Sequence, residues 1–127
     1  MYINYTWNKR YDSKSNEFLG VSLETILCYK LEATFTIESE DDQMFTEDFV
    51  PVYAIVKELK KTNSINLEIN LEGWGHNPFL SIKMQDSKVR IKNSFIDFVC
   101  KKEDYELEIE QFIYIVERDI REMGFCI

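Results

Sequence analysis

The strongest constraint in this chain is a period of two. From Val21 to Ile37 every odd position except Thr25 is apolar or small: Val21, Leu23, Leu27, Tyr29, Leu31, Ala33, Phe35 and Ile37. Ser22, Glu24, Lys30, Glu32, Thr34, Thr36 and Glu38 fall between them. Side chains alternate between the two faces of a β-strand, so a run of this length demands a sheet with one buried face. Ile26 and Cys28 interrupt the wet side. We therefore read one long bent strand, or two strands joined by a bulge near 26–29; a helix over Leu23 to Leu31 capped by Ser22 is the weaker alternative. Ile65, Leu67, Ile69 and Leu71 repeat the pattern against Asn66, Glu68, Asn70 and Glu72, and Leu80, Ile82 and Met84 repeat it against Phe79, Ser81 and Lys83. Gln85-Asp86-Ser87 reverses the chain, and Val89, Ile91, Phe95 and Val99 read as another strand with a bulge at Asn93 and Ser94.

Elsewhere the period changes to that of a helix. Ser39 to Gln43 is polar throughout and reads as a loop. Thr46 and Asp48 are candidate N-caps, Glu47 and Asp48 suit the positive end of a helix dipole, and Pro51 is tolerated in a first turn. Val52, Ile55, Val56 and Leu59 then share one helical face, Lys57, Lys60 and Lys61 suit the negative end, and Thr62-Asn63-Ser64 closes the helix. Tyr105 to Glu110 alternates strictly and reads as a strand, whereas Phe112, Ile115, Val116, Ile120 and Met123 have helical spacing, with Gly124 as the stop. The expected fold is α+β: a mainly antiparallel sheet of about five to seven strands with two helices packed on one face, in a single globular domain over 1–127.

Charge and composition exclude several function classes. Fifteen Lys and Arg against 23 Asp and Glu leave a net charge of −8, which disfavours direct binding to nucleic acid, where affinity rests on cations displacing counterions from phosphates. Nine Phe, seven Tyr and two Trp argue against disorder. No apolar run approaches the length of a membrane span, and the N-terminus lacks the pattern of a signal peptide, so a cytoplasmic location is expected. Cys28, Cys100 and Cys126 form neither a CxxC motif nor an even set, and reduced, mostly buried thiols are expected.

Catalysis has little to work with. His76 is the single imidazole, so a two-His metal site cannot form. Ser81 has no GxSxG elbow around it, neither GxGxxG nor GxxxxGK occurs, and the adjacent Asp41 and Asp42 lack the alternation and glycine of a calcium loop. Asp41 and His76 would be the general acid/base candidates of an enzyme, but no catalytic, cofactor-binding or metal site is expected.

Acidic clusters dominate instead. Glu38, Glu40, Asp41, Asp42, Glu47 and Asp48 lie within eleven residues that contain no Lys or Arg, and Glu103, Asp104, Glu106, Glu108 and Glu110 form a second run. Each run can be a solvated loop or the wet face of a strand; together they can form an electronegative surface that steers a basic protein partner. Trp74 sits in the segment Gly73-Trp74-Gly75-His76-Asn77-Pro78, where it either anchors that partner or packs over the sheet. Tyr2, Tyr5, Trp7 and Tyr11 read as edge-strand packing. The expected partner-binding set is Glu40, Asp41, Asp42, Glu47, Asp48, Trp74, His76, Glu103 and Asp104.

The order of these segments, carried by LEATFTIES, FVPVYAIVKELKK, INLEINLEGWG, FLSIKM, KVRIKN and YELEIEQFIYIVERDI, resembles the WapI-like group of immunity proteins that accompany bacterial polymorphic and contact-dependent toxins. The resemblance spans about residues 20 to 123. It implies a cytoplasmic immunity protein that binds and neutralises a cognate toxin domain, often a nuclease, without cofactor or catalysis. The residues themselves leave a second reading open, a small-ligand-binding or adaptor domain that uses a cavity between a curved sheet and its helices.

Overall fold

A computed structural model describes residues 1–61, 66–75 and 78–127. The alternating segments form two antiparallel sheets. β1 (Tyr2–Trp7), β2 (Ala33–Glu38) and β3 (Met44–Val50) make the first, in the order β1-β2-β3. β4 (Asn66–Ile69), β5 (Leu80–Gln85), β6 (Lys88–Lys92) and β7 (Asp97–Lys101) make the second as a meander. Helix α1 (Leu23–Thr25) continues into a π-helical turn (Ile26–Lys30), α2 (Val52–Lys61) joins the sheets, and α3 (Lys102–Glu122) follows β7 directly. The fold is thus α+β and mainly sheet, and no described helix is long and apolar enough to cross a membrane.

Both sheets, α2 and α3 share one core. Ile3, Phe35 and Ile37 from the first sheet, Leu80, Ile82 and Ile91 from the second, Ile55 and Leu59 from α2, and Tyr105, Ile109 and Phe112 from α3 surround a cavity of only about 10 Å³. Phe35 lies at its centre, 5.7 Å from the Phe79 ring and 6.0 Å from that of Phe112. Among the described residues that space is filled by side chains, and this cavity is far below the roughly 300 Å³ of a small-molecule pocket.

Four local readings are corrected. Val21 to Ile37 is not one strand: Ser22 Oγ accepts from the Thr25 N–H at 3.2 Å and caps a helical segment, and Ile26, Leu27 and Cys28 are all buried, which a one-faced strand cannot achieve. Residues 44–50 form β3 rather than a helix start. Asp48 and Phe49 bulge opposite Thr34, so that Phe45 and Val50 both reach the core despite their odd spacing. Asn93 and Ser94 are not a bulge within one strand, because the chain reverses there. Asn93 Oδ1 accepts from the N–H of Phe95 at 2.7 Å and of Ile96 at 3.0 Å, separating β6 from β7. Finally, Tyr105 to Glu110 is the second and third turn of α3; Tyr105, Phe112 and Val116 make its buried stripe, and Leu107 is left exposed. Gly124 does stop the helix, at φ 99°, where a Cβ would collide with the Ser13 side chain. Ile65 and Thr62 to Ser64, expected to open β4 and to close α2, lie outside the described residues.

Candidate partner-binding surface

The first acidic run is built on a tightly bonded turn. The Ser39 N–H donates to the Gln43 carbonyl at 2.8 Å, the Gln43 N–H returns to Ser39 Oγ at 2.9 Å, and the Ser39 hydroxyl donates to Asp41. Asp42 takes the left-handed conformation at φ 66°, which short polar side chains tolerate best after glycine. The Ser39 hydroxyl, with help from the Gln43 amide, holds the Asp41 carboxyl below its ordinary pKa, so this carboxylate keeps its charge into acid. Gln43 then fixes the turn in space: its Nε2 donates to Asp41 at 3.3 Å, and its Oε1 accepts from the Asp97 N–H at the start of β7 at 2.8 Å.

That clamp brings the two acidic runs together. Glu40 and Asp41 from the turn and Asp104 from the first turn of α3 line one surface pocket of about 440 Å³, together with Met1, Cys100, Lys88 and Lys101. Asp42 and Glu103 are exposed neighbours in the chain, and Glu103 and Asp104 also suit the positive end of α3. Partial burial pushes the Cys100 thiol above its ordinary pKa; the chain's N-terminal amine works against the shift and the Asp104 and Glu40 carboxylates add to it, so this cysteine is a poor nucleophile. Of the other two thiols, Cys28 is buried and Cys126 is exposed.

Glu47, Asp48 and Trp74 do not line this pocket. Glu47 and Asp48 lie toward the opposite end of β3, about 13 Å along the strand from the turn at 3.3 Å per residue. Asp48 there accepts from the Thr34 hydroxyl at 2.8 Å. Trp74 is half-buried and packs edge-on against Phe79 at 5.0 Å and Phe45 at 6.0 Å. His76 lies outside the described residues. In the second acidic run, Glu108 is structural, because it accepts the N–H of Ile3 on β1 at 3.0 Å. Among the described residues no group of three or more His, Cys, Asp or Glu is placed to hold a metal ion.

One polar cluster escaped the sequence reading. Asp119 on α3 accepts from the Tyr5 hydroxyl at 2.6 Å and from the Trp7 indole N–H at 3.1 Å. Burial, then the bond to Asp119, raises the Tyr5 pKa far above its ordinary value, so the phenol stays a donor. The available signal was the position of Asp119 beside Val116 and Ile120, a carboxylate set into an apolar stripe. Comparison with known proteins matches no family model, no curated protein and no solved structure.

Proposed function

We propose that this chain is a protein-binding inhibitor of the immunity type, which neutralises a basic, nuclease-type toxin domain by docking it on the surface around Glu40, Asp41 and Asp104. The observation that carries the reading is the meeting of two acidic runs, about sixty residues apart in the chain, at one pocket held by the Gln43 clamp. A nuclease must present Lys and Arg to phosphates. An acidic protein surface engages the same cations, speeds encounter and excludes partners of the wrong sign. Exposed carboxylates set on a bonded turn and a helix start lose little conformational freedom on docking, which favours tight binding.

The test is calorimetric titration against the toxin domain encoded immediately upstream of this chain. Submicromolar one-to-one binding is expected, with Glu40→Lys together with Asp104→Lys weakening it at least 100-fold. Glu47→Lys together with Asp48→Lys, at the other end of β3, should change it less than threefold. Absence of binding at micromolar concentration, with both proteins folded, would sink the reading; equal losses from both pairs would leave inhibition standing but move its surface.

A further inference from the structure

The outer face of the second sheet is basic in an acidic protein. All three outward positions of β6 are cations, Lys88, Arg90 and Lys92, and their cross-strand neighbours include Lys83 on β5 and Lys101 on β7. Two carboxylates, Glu68 on β4 and Asp97 on β7, share that face. Asp97 is committed: its Oδ1 accepts from Arg90 Nε at 2.8 Å and its Oδ2 from a terminal nitrogen at 2.6 Å. This bidentate pair uses two of the five guanidinium N–H groups and fixes the plane of the rest. Among the described residues no carboxylate lies within ion-pairing distance of Lys83 or Lys92.

These groups enclose space. A pocket of about 370 Å³ opens over β5 and β6, lined by Lys83, Arg90 and Lys92, by the hydroxyls of Ser81 and Ser94, and by Glu68 on the opposite side. Its volume falls in the range of small-molecule sites. The donor set is specific in sign and kind: three cations and two hydroxyls can bind a dianion, while Glu68 is an acceptor that repels a purely anionic guest and rewards one with a hydrogen-bond donor. A cation is excluded by the three positive heads. Single-stranded nucleic acid is disfavoured as well, because no outward residue of this sheet is aromatic and successive bases would find nothing to stack on.

We propose that this pocket binds a small phosphorylated ligand bearing free hydroxyls, with the phosphate on Lys83 and Lys92, Arg90 behind it, and a hydroxyl donating to Glu68. The site is independent of the acidic surface and needs no toxin partner. It moves the place of a small ligand from the filled interior to the outside of the sheet.

The test uses ribose 5-phosphate, inorganic phosphate, sulfate and ribose as probes, titrated into the ¹⁵N-labelled full chain at constant ionic strength while amide shifts are followed. Ribose 5-phosphate is expected to shift β5 and β6 amides and to bind at least tenfold more tightly than inorganic phosphate, with ribose and sulfate weaker still. Lys83→Met with Lys92→Met should weaken it at least tenfold without changing the melting temperature by more than a degree or two. Glu68→Gln should cut the advantage of ribose 5-phosphate over phosphate to less than threefold and leave phosphate itself bound as well or better. The proposal is overturned by any of three results: no shift at 20 mM probe, shifts that survive the double lysine substitution, or equal response to sulfate and ribose 5-phosphate.

Discussion

On the outer face of the first sheet polar side chains bond one another across the strands, whereas among the described residues on the outer face of the second the cations form a single ion pair. Asn8 donates to Thr34 at 2.9 Å, Thr34 donates to Asp48 at 2.8 Å, and the Thr36 and Thr46 hydroxyls meet at 3.0 Å. Across the core, among the described residues, Arg90 is the one of the five outward cations of the second sheet that forms an ion pair, while Lys88 and Lys101 line the pocket that also holds Glu40, Asp41 and Asp104. Both sheets bury the same kinds of residue, β3 by way of its bulge, so the buried faces cannot explain the contrast. Short β-branched hydroxyls bond across a strand pair and add stability there. Long lysines on an open sheet add little to stability.

The deepest way to break the comparison is to remove what the sheets share. Phe35→Ala should destabilise the whole chain by about 3–5 kcal/mol, and both sheets should unfold in one urea transition. Separate transitions would mean that the sheets are independent. Next in size, Asp119→Ala leaves the Tyr5 hydroxyl and Trp7 indole N–H without their acceptor and should cost about 1–3 kcal/mol, accompanied by a change in tryptophan emission. Because these bonds attach the first sheet to α3, amides of β1 should lose exchange protection before those of β6.

A smaller effect of opposite sign is expected at the bulge of β3. Phe49 sits at φ 57° and is 66% exposed, a conformation in which a bulky side chain is strained and gains little burial in return. Phe49→Gly should therefore stabilise the chain by about 0.5–1 kcal/mol in denaturant titration; a loss instead would show that the ring packs usefully. Lys88→Met on the second sheet should shift stability by less than about 0.5 kcal/mol, the mark of a side chain that the fold does not use.

The last prediction concerns acid. Asp41 has its pKa lowered in the folded chain, so its contribution is present above the ordinary aspartate range and fades as pH falls through the depressed value. Ser39→Ala should raise that pKa toward the ordinary range, as read by carboxyl ¹³C titration, and so narrow the window over which acid destabilises the turn. An unchanged pKa would assign the effect to Gln43.

Much of this was legible in the sequence, and the failures have physical causes. The second sheet was read nearly strand by strand because β4, β5 and β6 alternate without defect. The basic face follows from the same pattern, since Lys88, Arg90 and Lys92 occupy every outward position of one strand. β3 was lost because its bulge puts Phe45 and Val50 five apart on one face, and because Glu47 and Asp48 ahead of Pro51 imitate a helix start. α3 was cut in two because Leu107, exposed in the fold, happened to continue an alternation with Tyr105 and Ile109. The acidic runs were located correctly along the chain, but their meeting depends on one glutamine amide reaching the backbone of β7, a contact that no local pattern encodes. Trp74 packs on Phe45 and Phe79, rings from β3 and from the segment before β5 that its glycine-flanked sequence alone does not point to.

The bond from Glu108 to the Ile3 N–H has a consequence outside the folded monomer. β1 is an edge strand, and an unoccupied row of edge N–H groups can recruit a strand from another molecule. α3 lies along that edge and occupies one of its donors with a carboxylate, so the helix that completes the core also guards the chain against fibrillar association. Any change that loosens α3, including loss of Asp119, should then shorten the time in solution before aggregation as well as lower the melting temperature.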